Sequence, residues 1–235
     1  MDGNLTGRAL RGQEIVDIIK QLRLACCAVA SRSCSYLDVY SADQVPSLER
    51  LCAFSGTRKR KGTGSTCCYR ARSFIANTEP ATRPGYHWVA FVVFANRPSI
   101  IYFFDSFGMP LSYYQDLYRT CMNRGYYSDT VIVTSVNSRA LQGAKSTVCG
   151  HYCILYLYLC ARMSLETSRT RMLIALSAMR ALVVVTGGTV SNDRDVVIVR
   201  ILNELLKRDE QLTPALTCSR LGNAAARNQC CQPRK

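Results

Sequence analysis

Histidine is scarce in this chain: His87 and His151 are the two that occur in 235 residues. Two histidines cannot populate zinc fingers, and no cysteine pair has the Cys-x-x-Cys spacing of other structural zinc sites. The one metal-like cluster, Cys149-Gly-His151-Tyr-Cys153, places its side chains at i, i+2 and i+4, which do not converge on one point of a helix. No metal is expected. Also missing is any apolar run near the ~20 residues of a membrane span; the longest are the stretch after Cys149 and Met172–Val185, which Arg180 interrupts. No membrane partner is expected. The first residues, Met1-Asp-Gly-Asn-Leu-Thr-Gly-Arg8, lack the basic-then-apolar layout of a secretory signal, so secretion by that route is not expected. Acidic side chains are few, 16 against 30 Lys and Arg, and the resulting +14 attracts polyanions without reading their sequence. Cysteine, by contrast, is plentiful. Thirteen is an odd number, many lie in apolar stretches, and the chain is too long for a disulfide miniature, so reduced thiols are expected.

The stretch Leu141-Gln-Gly-Ala-Lys-Ser-Thr-Val-Cys149-Gly-His-Tyr-Cys153-Ile-Leu-Tyr-Leu-Tyr-Leu159 organises the rest. Gly143 and Ser146-Thr147 punctuate it, and an uncharged apolar run then continues for about three helical turns. Cys149 therefore opens a core helix, where free amides and the positive dipole end favour a thiolate. A thiol nucleophile needs a base. His151 follows Cys149 by two residues and points to the opposite side of the helix, which leaves His87. His87 sits where Gly85-Tyr-His-Trp-Val-Ala-Phe-Val-Val-Phe94 begins a strand; a turn at Ala95–Pro98 and a second strand, Ile100–Phe104, complete a hairpin. Asp105 follows directly and can accept an imidazole N–H from His87. Gln142, seven residues before Cys149, can add a side-chain amide to the Cys149 backbone N–H as an oxyanion donor pair.

These residues carry a resemblance. His87-Trp88-Val-Ala90-Phe91, Phe104-Asp105-Ser-Phe107-Gly108 and Gln142-Gly143-Ala-Lys-Ser146-Thr-Val-Cys149-Gly150-His-Tyr-Cys153 resemble adenain-type maturation cysteine proteases of adenoviruses and, more distantly, the ubiquitin-like-protein-specific cysteine proteases. Phe74-Ile-Ala-Asn77-Thr78 is similar to the adenain strand before the catalytic histidine, and the motif-bearing core spans about 70–162. Asp105 replaces the glutamate usual in adenain, as it does in the modifier proteases. The resemblance implies an α+β, papain-like domain with a central mixed sheet packed against the helix headed by Cys149. It implies a viral endopeptidase that cleaves virion precursors at glycine-containing sites in the virion and host nucleus, with DNA and an activating peptide as stimulators and no small-molecule cofactor. A protease removing ubiquitin-like modifiers is the alternative, and an inactive DNA-binding or capsid-associated protein is the alternative of another class. Thr130 stands nearest the place of the cysteine that links adenain to its peptide, so that disulfide is not expected here.

Around the core, Gln13–Leu24 is amphipathic, with Ile15, Ile18, Ile19 and Leu22 at helical spacing and Cys26 and Cys27 continuing that face. Ser35–Tyr40 reads as a strand and Gln44–Leu48 as a loop; by the resemblance both belong to the substrate cleft wall. Pro110–Asn123 reads as a covering helix stopped by Gly125, and Thr130–Val136 as a strand. Arg169–Val185 and Asp193–Leu206 read as two further helices. Arg58-Lys59-Arg60-Lys61, between glycines, can lie along phosphates as a mobile loop. A single domain is expected over 1–213, followed by a basic, mobile tail at 214–235.

Overall fold

The run Trp88-Val-Ala-Phe-Val-Val-Phe94 has no polar face, and with the two-residue period of a strand it is stable only when both faces are covered. A computed structural model of the chain shows that cover; it describes residues 7–22, 35–53, 55–56, 67–68, 71–94, 97–162, 174, 176–181 and 194–208. The strands are β1 (Ser35–Tyr40), β2 (Ser55–Gly56), β3 (Cys67–Cys68), β4 (Ala71–Asn77), β5 (Trp88–Phe94), β6 (Arg97–Phe104) and β7 (Ile132–Ser135). Five form a mixed sheet in the order β1-β4-β5-β6-β7, and β2 pairs with β3 alone. The central strands β4, β5 and β6 are antiparallel, whereas β1 and β7 flank them in parallel.

Alternate residues of the sheet enter two different cores. Ala90, Val92 and Phe94 of β5, with Tyr102 and Phe104 of β6, face one cluster built on α1 (Gly12–Gln21) and α4 (Cys149–Arg162). Leu176, Met179, Ile198, Leu202 and Leu206, from the helical segments 176–181 and 194–208, join it. Val89, Phe91, Val93, Ile101 and Phe103 face the other, beneath α2 (Leu48–Cys52) and α3 (Gln115–Asn123). Each buried Val, Leu, Ile, Phe or Met among these contributes about 1.5–3 kcal/mol relative to exposure, so the hairpin is the centre of both layers. This is the expected α+β arrangement, a mixed sheet against a helix headed by Cys149.

The first turn of α4 is packed from three sides. A Cβ on Gly150 would stand 3.2 Å from Ile15 Cδ1 and 3.4 Å from Leu10 Cβ and Trp88 Cδ1, so the missing side chain lets α1 and β5 close on the helix. Further along, the Phe104 and Tyr156 rings stack with centroids 4.2 Å apart. The thiol of Cys153 donates to the Trp88 carbonyl over 3.3 Å. α4 is thereby fixed against the strand that follows His87.

Three local expectations are corrected. The single helix read over Pro110–Asn123 divides into a 3-10 turn, Leu111–Tyr113, and α3, because Tyr114 takes φ −98° and ψ 86° and turns its hydroxyl inward. Arg97 and Pro98 belong to β6 rather than to the hairpin turn. Within the expected loop after residue 44, Ser47 caps α2 by accepting the Arg50 amide over 3.3 Å. Cys26, Cys27, the Arg58–Lys61 run and the tail 214–235 lie outside the described residues. Among the described residues, no helix is long and apolar enough to cross a membrane.

Candidate active site

Three elements bring the histidine, the acid and the cysteine together. His87 precedes β5 rather than opening it, on a turn formed by Gly85 at φ +81°. Asn77, at the end of β4, holds that turn: its Oδ1 accepts the Tyr86 amide over 3.2 Å and the Glu79 amide over 2.9 Å. A Cβ on Gly85 would meet Asn77 Nδ2 at 2.7 Å, so space and backbone conformation both require glycine there. The Thr78 amide donates to the His87 carbonyl over 2.9 Å, which pins the histidine backbone to the same strand end.

Register explains how Asp105 arrives. Ala90 pairs with Phe104, so Asp105 stands level with Val89, and the imidazole reaches across to it. His87 Nε2 and Asp105 Oδ1 are 2.5 Å apart, with both side chains at most 1% exposed. A buried carboxylate is tolerated only when its oxygens are satisfied. Here Oδ1 also accepts the Phe107 amide over 3.1 Å, while Oδ2 accepts the Met109 amide over 2.7 Å and the Tyr114 hydroxyl over 3.0 Å. Gly108, at φ +74°, makes this turn feasible, because a Cβ would lie 2.6 Å from the Arg139 backbone. Asn137 Nδ2 donates to the Asp105 carbonyl over 2.6 Å, tying the chain after β7 to the same residue.

The imidazole ring lies between Phe107 and Tyr114, with centroids 4.7 and 5.6 Å away. Burial alone would lower the His87 pKa; the hydrogen bond from its ring to the Asp105 carboxylate, together with the nearness of Cys149, outweighs it and raises the pKa to about 9. Since Asp105 engages Nε2, Nδ1 is the nitrogen left for the thiol. Cys149 opens α4 and is 6% exposed. Burial pushes the Cys121 thiol up to about 12, raises Cys153 well above its ordinary range, and raises Cys52.

Gln142 is buried in the loop before α4 and held at both ends of its amide. Ser106 Oγ donates to Oε1 over 2.6 Å, and Nε2 donates to the Ser146 carbonyl over 2.9 Å and to Ser146 Oγ over 3.1 Å. The Leu141 and Gln142 amides both donate to the Ser106 carbonyl. The structure thus turns the Gln142 nitrogen onto Ser146, within the loop that ends at Cys149. His87, Cys149 and Ser146 open onto one cleft of about 720 Å³, whose walls include Leu10, Tyr40, Tyr86 and Trp88. The wall expected from residues 35–48 is present, since Val39, Tyr40, Ser41 and Gln44 line it. The segment before α1 forms the facing side, fixed by Trp88 Nε1, which donates to the Leu10 carbonyl over 2.9 Å.

Sequence reading missed Tyr114 and Ser106. Ser106 is the variable position of the Phe-Asp-x-Phe-Gly motif, so a hydroxyl beside the acid was a usable signal. Tyr114 gave none, because its spacing fits the apolar face of a continuous helix.

A thiol at a helix start, sharing a cleft with a buried imidazole that a carboxylate orients, has the arrangement of a nucleophile with its base and orienting acid. The family model of the adenovirus endoprotease matches residues 55–183, more than half of the sequence, and the chain belongs to that family. It is 30% identical over 126 residues to a protease of snake adenovirus serotype 1, a match covering 51% of this chain and 62% of that relative, less than two thirds of its length. Among solved structures, the ASFV protease is similar at 16% identity with a TM-score of 0.47, covering 87% of this chain and 69% of that one. The SUMO protease Ulp1 is similar at 14% identity with a TM-score of 0.37, covering 85% and 80%.

Proposed function

We propose that this protein is a cysteine endopeptidase, carried by one observation: a buried imidazole held by the Asp105 carboxylate opens onto the same cleft as Cys149 at the head of α4. Cys149 Sγ attacks the scissile carbonyl as its proton passes to His87. The imidazolium returns that proton to the leaving amine, giving a thioester, and then accepts a proton from the water that hydrolyses it. Asp105 orients the ring through Nε2. Gln142 and the Cys149 amide stabilise the oxyanion; for this, one hydrogen of Nε2 turns from Ser146 towards the substrate.

The substrates we propose are virion precursor proteins, cut at glycine-containing sites in virions and the host nucleus, a reading supported by family membership. DNA is the proposed activator, supported by the +14 charge and the Arg58–Lys61 run. An activating peptide is the second proposed stimulator, not linked through residue 130. The test is incubation of the wild type and Cys149→Ala with virion precursors and, separately, ubiquitin-like modifier conjugates, with and without DNA. Precursor cleavage that needs Cys149 and rises with DNA at low salt is expected. Cleavage of conjugates alone would move the assignment to a modifier protease. No Cys149-dependent cleavage of either would leave an inactive DNA-binding protein.

A further inference from the structure

Two consecutive residues after β6 serve the two sides of the cleft. Asp105 turns its side chain to His87, and Ser106, fully buried, turns its own to Gln142. Ser106 Oγ donates to Gln142 Oε1 over 2.6 Å, on the short side of the O–H···O range. The Ser106 carbonyl also accepts the Leu141 amide over 2.8 Å and the Gln142 amide over 3.1 Å, so one residue holds the start of the loop 141–148 by both backbone and side chain. On the other side of Leu141, the Tyr152 hydroxyl stands 3.1 Å from the Leu141 carbonyl and 3.0 Å from Asp195 Oδ1. That contact holds backbone; the Gln142 amide group itself is held by Ser106 and Ser146.

A glutamine amide turned over about its last bond keeps its shape but exchanges an acceptor for two donors. The Ser146 carbonyl can only accept, so it selects the orientation with Nε2 towards it. That hold loosens in the proposed reaction, when one hydrogen of Nε2 turns to the substrate oxyanion. The opposite end then decides whether the amide keeps its place. Gln142 is 3% exposed, so without the Ser106 hydroxyl its Oε1 would lose the donor that burial makes necessary. Donation to Oε1 also draws electron density from the amide nitrogen, which makes its hydrogens stronger donors to a developing negative charge.

We infer that Ser106 is a positioning residue for the oxyanion donor, holding the Gln142 amide with its nitrogen towards the nucleophile loop, so that the turn that orients the base also sets the acylation rate. This rests on the protease reading above. Two reactions of the same thiol separate the contributions. Acylation by p-nitrophenyl acetate forms a thioester at Cys149 Sγ, passes the thiol proton to His87, breaks the ester C–O bond and releases p-nitrophenolate through an oxyanion. Alkylation by iodoacetamide forms an S–C bond and displaces iodide with no oxyanion, so it depends on the thiol–imidazole pair alone.

In Ser106→Ala the p-nitrophenolate burst, measured as the part that Cys149→Ala abolishes, is expected to slow by about tenfold, a share of the effect of removing an oxyanion donor outright. Alkylation of Cys149 stays within about twofold of wild type at every pH, because His87 and its acid are untouched. The double variant Ser106→Ala/Gln142→Ala loses no more than Gln142→Ala alone, since both act on one path. A wild-type acylation rate in Ser106→Ala, an equal fall or a shifted pH profile in alkylation, or multiplying losses in the double variant would overturn the inference. If Ser106→Ala does not fold, the nearly isosteric Ser106→Cys, a weaker donor, decides by the same pair of reactions, and undiminished acylation there would overturn it. Failure of the protease reading looks different: wild type itself would give neither burst nor rapid alkylation.

Discussion

The two sides of the cleft are held by different means. On the base side, Asp105 draws three of its four carboxylate contacts from Phe107, Met109 and Tyr114, all within nine residues. The fourth is His87, across one hairpin. On the nucleophile side, the loop 141–148 rests on Ser106, 36 residues before Gln142, and on Asp195, 43 residues after Tyr152. A base needs one fixed angle towards its acid, which a tight turn supplies locally. An oxyanion donor must be aligned to a substrate atom, and a loop reaches that alignment only by long-range ties.

Substituting each side in turn should break this comparison most sharply. His87→Ala is expected to remove turnover by roughly 10⁴-fold or more and also to abolish rapid alkylation of Cys149. Gln142→Ala is expected to reduce acylation by roughly 10²–10³-fold while alkylation persists. Equal losses of alkylation in both variants would erase the distinction between the sides.

The next effect is on pH dependence. The His87 pKa of about 9 means that the imidazolium, the acid for the leaving amine, is present below that pH and lost above it. The alkaline limb of kcat/KM is therefore expected near pH 9, as an apparent value of the His87–Cys149 pair. In Asp105→Asn the carboxylate no longer opposes burial, so the limb moves down towards about 6.5 and the rate falls by roughly 10²-fold. An unmoved limb would detach Asp105 from the base.

Smaller effects sharpen the picture. Tyr114→Phe removes one donor from a buried carboxylate, with an expected loss of about 1–3 kcal/mol in urea unfolding and several-fold in kcat. Tyr86, 80% exposed on the cleft rim, is expected to matter least: Tyr86→Ala raises KM by about two- to fivefold and leaves kcat and the alkylation rate near wild type.

The same contrast explains what was legible in the sequence. The hairpin, its register and the nearness of His87 to Asp105 follow from period-two apolar runs and a short turn, which are local signals. Cys149 at the head of a buried helix was legible because Gly143 and Ser146 interrupt the chain before an unbroken apolar run. Tyr114 was hidden because its helical spacing agrees with a conformation it does not adopt. Asp195 was hidden because an acid near the start of an amphipathic helix is read as a dipole partner, and nothing local says that it accepts the Tyr152 hydroxyl 43 residues earlier. The net charge says that polyanions are attracted, not where they lie.

The most direct measurement is brief, limiting alkylation by iodoacetamide at neutral pH, with and without DNA, ranking all thirteen cysteines by mass spectrometry in wild type and in His87→Ala. Cys149 is expected to label far ahead of Cys121 and Cys153, whose thiols burial keeps protonated, and to lose that lead without His87. A Cys149 no faster than its neighbours in wild type, with DNA present, would contradict the thiol–imidazole pair on which the proposed function rests.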